Sequence, residues 1–134
     1  MTYSKEMLAK YPEEVKATIA KAKRIEDTVI TASKDLLEKI KKAYSDKHVY
    51  YKEFNTNVGY GVSAVYYTEI KVFNIYNGEI STYVSKSIEV SFDDNKIKYE
   101  VWDNDEYDPW YSEMTKKTFD ENEALTELDR LLNE

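Results

Sequence analysis

The longest regular pattern in this chain runs from Pro12 to Tyr44, where apolar residues recur at the spacing of one helix face. They recur every seven residues, with others three or four positions away: Val15, Ala22, Val29, Leu36 and Ala43, and Ile19, Ile25, Ala32 and Ile40. This spacing predicts one long amphipathic helix, with Pro12 at its first position. Such a helix would span roughly 50 Å. That is wider than a compact domain of this size, so the helix protrudes, pairs with a partner or breaks.

The weakest part of the predicted helix is the stretch 27–33, which is rich in residues that favour other conformations. Ser33 is a candidate N-cap for a second helix if the chain breaks there. The seven-residue phase continues through the stretch, which favours a continuous helix. The apolar stripe then has two interpretations. It packs on the chain's own sheet, or it forms a two-stranded coiled-coil seam.

After Tyr44 the hydrophobic period changes to two, which predicts β-strands at 48–54, 60–75, 79–92 and 97–102. Asn77-Gly78, between two alternating segments, is typical of a two-residue hairpin turn. The third strand alternates as a half-solvated antiparallel strand does. Its apolar face carries Ile80, Val84, Ile88, Val90 and Phe92.

The last predicted element is a helix that begins after Asp120, which forms a capping-box pattern with Glu123. Phe119 is placed to pack against Ala124 as a hydrophobic staple, and the segment 110–117 stays unassigned. The predicted fold is therefore α+β, with one domain over residues 1–134. A long N-terminal helix packs on a four-stranded antiparallel meander sheet, and a short C-terminal helix follows.

The composition excludes several kinds of chemistry. The chain has 134 residues and no cysteine, which excludes thiol catalysis, disulfides and cysteine-ligated metals. No segment has the pattern of a signal peptide or a membrane span, so we expect a cytoplasmic protein. His48 is the one histidine, and no nucleophile motif accompanies it. Gly59-Tyr60-Gly61 lacks the third glycine and following helix of a nucleotide fingerprint. We predict no catalytic residue and no cofactor.

The net charge of −7 is unevenly distributed along the chain. Residues 1–47 hold 11 basic and 8 acidic side chains, whereas residues 103–134 hold 3 basic and 11 acidic ones. Direct binding to duplex DNA is disfavoured, because phosphate contacts need clustered cations. A protein partner with a basic surface is favoured instead.

The segment Asp103–Pro109 is predicted to be an acidic loop, which has three interpretations: a calcium site, a solvated loop or a partner-binding surface. A calcium loop needs Gly at its sixth position and Glu at its twelfth, where this chain has Asp108 and Met114, so we predict no metal site. Spaced carboxylates also resemble a row of phosphates, and neighbouring aromatic rings supply contact area of the kind that binding hot spots use. The predicted partner-binding residues are Asp103, Asp105, Glu106, Tyr107, Asp108, Trp110 and Tyr111.

The chain is small, has a single-domain α+β build and carries the acidic stretch 103–108, which is followed by Glu121, Glu123, Glu127 and Asp129. In these features it resembles the small acidic inhibitors made by phages. These include anti-CRISPR proteins and other DNA mimics. The resemblance implies a non-enzymatic inhibitor that blocks a basic or nucleic-acid-binding partner such as a nuclease. A long helix on a four-stranded meander is also similar in architecture to a cystatin-type sheet, without its inhibitory motifs.

Two other classes of function remain open at this point. A structural or assembly subunit would form a homodimer or larger oligomer through the apolar stripe of the long helix. A small-ligand-binding protein would use a cavity between the helix and the sheet. The thirteen tyrosines, many of them in predicted strands, fit β propensity and also fit a sheet face that binds a partner.

Overall fold

The computed structural model describes residues 13–58, 62–105 and 112–134, in which two helices pack on one face of an antiparallel sheet. The elements in chain order are helix α1 (Glu13–Ala43), strands β1 (His48–Val58), β2 (Val62–Tyr76), β3 (Glu79–Asp93), β4 (Lys96–Asp105) and β5 (Glu113–Thr118), and helix α2 (Glu121–Leu132). The five strands lie side by side in chain order, so the sheet is a meander. The predicted α+β class and helix–sheet–helix order are confirmed.

The predicted count of four strands is wrong, because β5 adds a fifth at the edge of the sheet. This strand falls in the segment that the sequence left unassigned. Its residues are Glu-Met-Thr-Lys-Lys-Thr, and only Thr118 is buried. An edge strand with so little buried surface has no alternation of apolar and polar residues to reveal it.

Helix α1 is continuous from Glu13 to Ala43, and its apolar stripe packs on the chain's own sheet. Two hydroxyls of the weak stretch bond within the helix: Thr28 Oγ1 donates to Arg24 O at 2.7 Å, and Ser33 Oγ donates to Val29 O at 2.6 Å. Val29 and Ser33 are also fully buried. Burial against the sheet therefore outweighs the low helix propensity of this stretch.

The core lies between the helices and the middle strands, where alternate residues of β2, β3 and β4 point toward the helices. Its buried members are Val29, Leu36 and Ile40 from α1, Ile70, Val72, Ile88, Val90, Tyr99 and Val101 from the sheet, and Ala124, Leu128 and Leu131 from α2. Val29, Leu36 and Ile40 of the stripe are therefore buried against the chain's own sheet. The alternation predicted for Ile88, Val90, Tyr99 and Val101 is confirmed.

Two tight turns join the central strands. Asn77 and Gly78 have φ angles of 52° and 79°, and Asp94 and Asn95 have 50° and 60°. Two successive residues with positive φ form the hairpin turn whose twist matches that of the flanking strands. The hairpin predicted at Asn77-Gly78 is confirmed.

Helix α2 begins with the predicted cap. The Asp120 carboxylate accepts from the Asn122 and Glu123 N–H groups at 2.8 and 3.2 Å. The reciprocal half of the capping box is rearranged, because the Asp120 N–H donates to Thr118 Oγ1 at 3.1 Å. The Thr118 hydroxyl in turn donates to the Glu123 carboxylate at 2.7 Å. The cap thereby ties the end of β5 to the start of α2.

Candidate partner-binding surface

The first residues of the predicted acidic loop are part of a strand. Strand β4 continues through Asp105, so the prediction of a loop that starts at Asp103 is wrong for three residues. They extend the ladder with β3, where Lys86 lies opposite Asp103 and Val84 opposite Asp105. The next six residues, up to Tyr111, lie outside the described residues.

Asp103 and Asn104 are held by the neighbouring strand. Lys86 Nζ donates to Asp103 Oδ1 at 2.5 Å. On the opposite face, the Asn104 amide donates to Ser87 Oγ at 2.9 Å and to Ser85 Oγ at 3.3 Å. These contacts explain why polar residues continue the strand. They also mean that Asp103 already has a cationic partner within the chain.

Of the seven predicted partner-binding residues, the structure describes only two, Asp103 and Asp105. The other five lie outside the described residues: Glu106, Tyr107, Asp108, Trp110 and Tyr111. The two described carboxylates are on alternate positions of β4, so both point to the same side of the sheet as Val101 and the helices. The predicted surface therefore starts beside the last turn of α2.

Several acidic residues of α2 are engaged within the chain. Glu121 pairs with Lys39 of α1. Arg130 donates to Glu127 at 2.6 Å and to Glu134 at 2.5 Å. The hydrogen bond from Arg130 lowers the pKa of Glu127. Because of these pairs, part of the acidic charge of α2 stabilises the fold and is unavailable to a partner without rearrangement.

The most conspicuous exposed apolar surface is the β2–β3 hairpin. Of seven large hydrophobic side chains that are exposed among the described residues, four belong to this hairpin: Ile75 (41% exposed), Tyr76 (63%), Ile80 (44%) and Val84 (44%). We call these four residues the hairpin patch. Tyr76 and Val84 lie on the side of the sheet that faces the helices, whereas Ile75 and Ile80 are opposite each other on the other side. Val84 lies on the same face of β3 as Ile88 and Val90, as predicted, but it is exposed. The prediction is wrong for Ile80, which lies beyond the register shift and pairs with Ile75.

A register shift and the ends of the helices explain this exposure. The pairing of β2 with β3 shifts between Phe73 and Ile75, which breaks the alternation that holds farther along the strands. Tyr76 and Val84 line a groove of about 300 Å³ together with Leu131 and Leu132, at the C-terminal end of α2. The helix ends here, so the tip of the hairpin is left uncovered by it.

The face of the sheet away from the helices carries a row of carboxylates. Glu69 of β2 lies directly opposite Glu89 of β3, which lies directly opposite Glu100 of β4. Lys71 and Lys98 contact the two outer members at 3.7 and 3.1 Å. Burial of Glu89, followed by repulsion from Glu100 and Glu69, raises its pKa to about 6. Like charges placed directly across strands destabilise a sheet.

The tyrosines are divided between the two faces of the sheet. Tyr51 and Tyr99 lie on the helix side with the core. Tyr67 lies on the opposite side, where its ring stacks on Phe54 at 4.6 Å between centroids. Lys52 Nζ lies 4.8 Å from the Phe54 ring centre, and Tyr50 is also on this side. The described tyrosines therefore do not form a single continuous aromatic surface.

The other candidate sites have limited chemistry. His48 lies on β1 with its ring 6.2 Å from that of Phe73. Within residues 13–58, 62–105 and 112–134, no group of three potential ligands comes together to hold a metal ion. None of the helices described has a stretch apolar and long enough to cross a lipid bilayer.

Comparisons of the chain with protein-family models, with curated proteins and with solved structures find no match.

Proposed function

We propose that this protein is a non-enzymatic binding protein that blocks a protein partner with a basic surface, such as a nuclease or another nucleic-acid-binding protein. A phage anti-defence protein of the anti-CRISPR kind is the particular form that we favour. The observation that carries the proposal is the spatial separation of charge. Among the described residues, the acidic segments 103–105 and 112–134 lie at one edge of the domain, because β4, β5 and α2 lie together there.

The order of the strands produces this separation. Since β5 is the last strand of the meander and α2 packs on β4 and β5, residues 112–134 are gathered on one side of the sheet. Helix α1 lies mainly on β2 and is nearly balanced in charge, with 8 basic and 6 acidic side chains, so the acidic excess is at the edge formed by β5 and α2. A molecule with an acidic edge attracts and orients a basic partner over a distance of about 8–10 Å at physiological ionic strength.

The experiment is a binding assay with matched charge reversals. Tagged protein is incubated with lysate of a low-GC bacterium, and the retained proteins are released with salt and identified. Reversal of Asp105, Glu106 and Asp108 to lysine is expected to abolish retention of a basic, nucleic-acid-binding protein. The control reverses Asp27, Glu38 and Asp46, three exposed acidic residues of α1 and the following turn.

Three results would contradict the proposal. The first is retention that is equally strong in both triple variants. The second is a retained partner that is acidic. The third is binding that does not weaken as salt is raised, because partly exposed ion pairs are screened by salt.

A further inference from the structure

We propose that strand β1 is a self-association surface, on which a second copy of this chain adds its own β1 in the antiparallel direction. The two five-stranded sheets then continue into a single sheet. An edge strand presents a row of backbone N–H and C=O groups with which a strand of another chain can pair. The inference goes beyond the proposed function, because it concerns the edge of the sheet opposite β5.

Strand β1 is long and regular for an edge strand. It covers His48–Val58, pairs only with β2 within the described part of the chain, and contains neither proline nor glycine. Its register with β2 is uninterrupted as far as Thr56. The only charged residues in it are Lys52 and Glu53, which are adjacent and opposite in sign. Natural sheets usually protect an edge with a short strand, proline, a bulge or repeated charge, and β1 has none of these as far as Thr56.

The other edge of the sheet has the protection that β1 lacks. Strand β5 has only six residues, and its register with β4 shifts between Val101 and Trp102. It also carries two neighbouring lysines, Lys116 and Lys117, which repel an identical strand. Helix α2 packs against it as well. This comparison identifies β1 as the edge that is open to a further strand.

A pairing centred on Tyr51 brings compatible side chains together. In a two-fold symmetric antiparallel pair, residues equally far from the centre on either side face each other, on the same side of the sheet. The facing pairs are then Tyr50 with Lys52, His48 with Phe54, and Val49 with Glu53. A pairing centred on Lys52 or on Glu53 places like charges directly opposite each other, which destabilises a sheet. A pairing centred on Tyr50 joins only residues 48–52 of the strand.

The helices leave room for this arrangement. Helix α1 packs mainly on β2, and the two β2 strands of the joined sheet are three strand spacings apart, or about 14 Å. Helices in direct contact need only about 8–10 Å between their axes. Both copies of α1 therefore fit on the same side of the joined sheet.

The distribution of charge favours a second copy as the occupant. The lysine and the glutamate of β1 cancel, so the net charge of −7 is not concentrated at this edge. The acidic residues 112–134 belong to the opposite edge. In the joined sheet the two acidic edges are about 43 Å apart, well beyond the screening length of about 8–10 Å. The pairing therefore leaves both acidic edges open to a basic partner.

The test measures the mass of the full chain in solution by light scattering over a range of concentrations. The variants are Tyr50→Lys, Tyr50→Glu and Met114→Lys. In the proposed pairing, lysine at position 50 faces Lys52 of the second copy, whereas glutamate there forms an ion pair with it. Met114 is as exposed as Tyr50, at 43%, and lies on β5, so it is the matched control for an added lysine. Tyr50 also lies opposite Lys71 of β2, so circular dichroism verifies that each variant is folded.

We expect the unmodified protein to form a dimer with twice the mass of the 15.8 kDa chain. Tyr50→Lys is expected to raise the dissociation constant of the dimer at least about tenfold, because two symmetric like-charge pairs then oppose each other. Tyr50→Glu and Met114→Lys are expected to leave the dissociation constant within about twofold of its original value, or lower it.

A second measurement needs no variant. Hydrogen exchange of the backbone amides in residues 48–54 of the unmodified protein should slow as the concentration rises, at the alternate positions whose N–H groups face the second copy. Amides of β5 serve as the control and should not change. Exchange in residues 48–54 that is independent of concentration would contradict the pairing.

Other results would also overturn the inference. They are a monomer at every concentration, a dimer that Tyr50→Lys leaves intact, and a dimer that Met114→Lys dissociates. Equal weakening by Tyr50→Lys and Tyr50→Glu would refute the pairing centred on Tyr51. Protection of residues 48–54 only after another protein is added would assign β1 to a different strand. The proposed function is tested separately, since Tyr50→Lys leaves the acidic edge unchanged and should still retain a basic partner.

Discussion

Ser33 of α1 and Thr68 of β2 share a hydrogen bond of 2.6 Å between their hydroxyl oxygens, and both residues are fully buried. The single Ser33 proton is donated to the Val29 carbonyl, so the Ser33 oxygen accepts from Thr68. This pair is a polar contact inside an otherwise apolar interface between the long helix and the sheet. This hydrogen bond fixes the position of α1 along β2, because apolar contacts alone have little directional preference.

We expect Ser33→Ala to lower the free energy of unfolding by about 1–3 kcal/mol, because it leaves the buried Thr68 hydroxyl without an acceptor. Thr68→Val is expected to have a smaller effect, since the Ser33 proton keeps its bond to Val29. The double variant should lose less than the sum of the single losses, because no buried donor is then left unpaired. Urea denaturation measures all three, and strictly additive losses would contradict the coupling.

Glu89 is expected to make stability depend on pH. Its pKa is raised to about 6 in the folded protein, from 4.5, chiefly by burial and then by Glu100 and Glu69. The folded state therefore holds the proton more tightly. The stabilisation that comes from protonated Glu89 is fully present below about pH 4.5 and is lost as the pH rises through about 6. Since the side chain is only partly buried, solvent screens the interaction and we expect a change of about 1 kcal/mol or less.

Glu89→Gln tests this dependence, because the amide is neutral at every pH. The variant is expected to be more stable than the unmodified protein near neutral pH, and the difference should shrink below about pH 5. Glu38→Gln, at an exposed position of α1, is the control. A stability difference between the Glu89 variant and the unmodified protein that is the same at all pH values would refute the assignment.

The N-cap of α2, Asp120, is a third position at which a single substitution is expected to change stability. Asp120→Ala removes the acceptor for two N–H groups and is expected to lower the free energy of unfolding by about 1 kcal/mol. Asp120→Asn preserves an oxygen acceptor, so most of that stability should be retained. Thermal unfolding followed by circular dichroism measures both. Equal losses of stability in the two variants would mean that Asp120 stabilises α2 through its negative charge and not through the capping hydrogen bonds.

The turn of the β2–β3 hairpin depends on positive φ angles. We expect Gly78→Ala to destabilise the protein by about 1 kcal/mol, because alanine is strained at a φ of 79°. The added methyl group would meet no atom within 4 Å, so crowding is not the cause. Asn77→Gly is the matched control and should be close to neutral, since its φ of 52° is unstrained for glycine. Chemical denaturation of both variants measures the difference.

Much of the fold could be predicted because it is encoded in local patterns. The seven-residue stripe of α1, the Asn77-Gly78 turn and the Asp120 cap each depend on residues a few positions apart. The strand β5 could not be predicted, since an edge strand buries little and its residues show no alternation. The extension of β4 through Asp105 was also missed, because it depends on Lys86, Ser85 and Ser87 of a neighbouring strand.

The candidate surface could be predicted from the sequence less completely than the fold. The charge of residues 103–134 is visible in the sequence, and this charge predicts the acidic residues of the site. The hairpin patch was missed because Ile80 and Val84 continue the alternation of a buried strand. Their exposure depends on the register shift near Phe73 and on where α2 ends, which are tertiary properties.

The meander order of the sheet also has a consequence for how the chain folds. Each strand pairs with the strands next to it in sequence, so β1 to β5 can form by successive hairpins with little entropy lost to closing long loops. During synthesis the apolar side of β4 stays exposed until α2 leaves the ribosome, since Ala124, Leu128 and Leu131 cover it last. A chain that stops at Thr118 is therefore expected to form its hairpins and still aggregate.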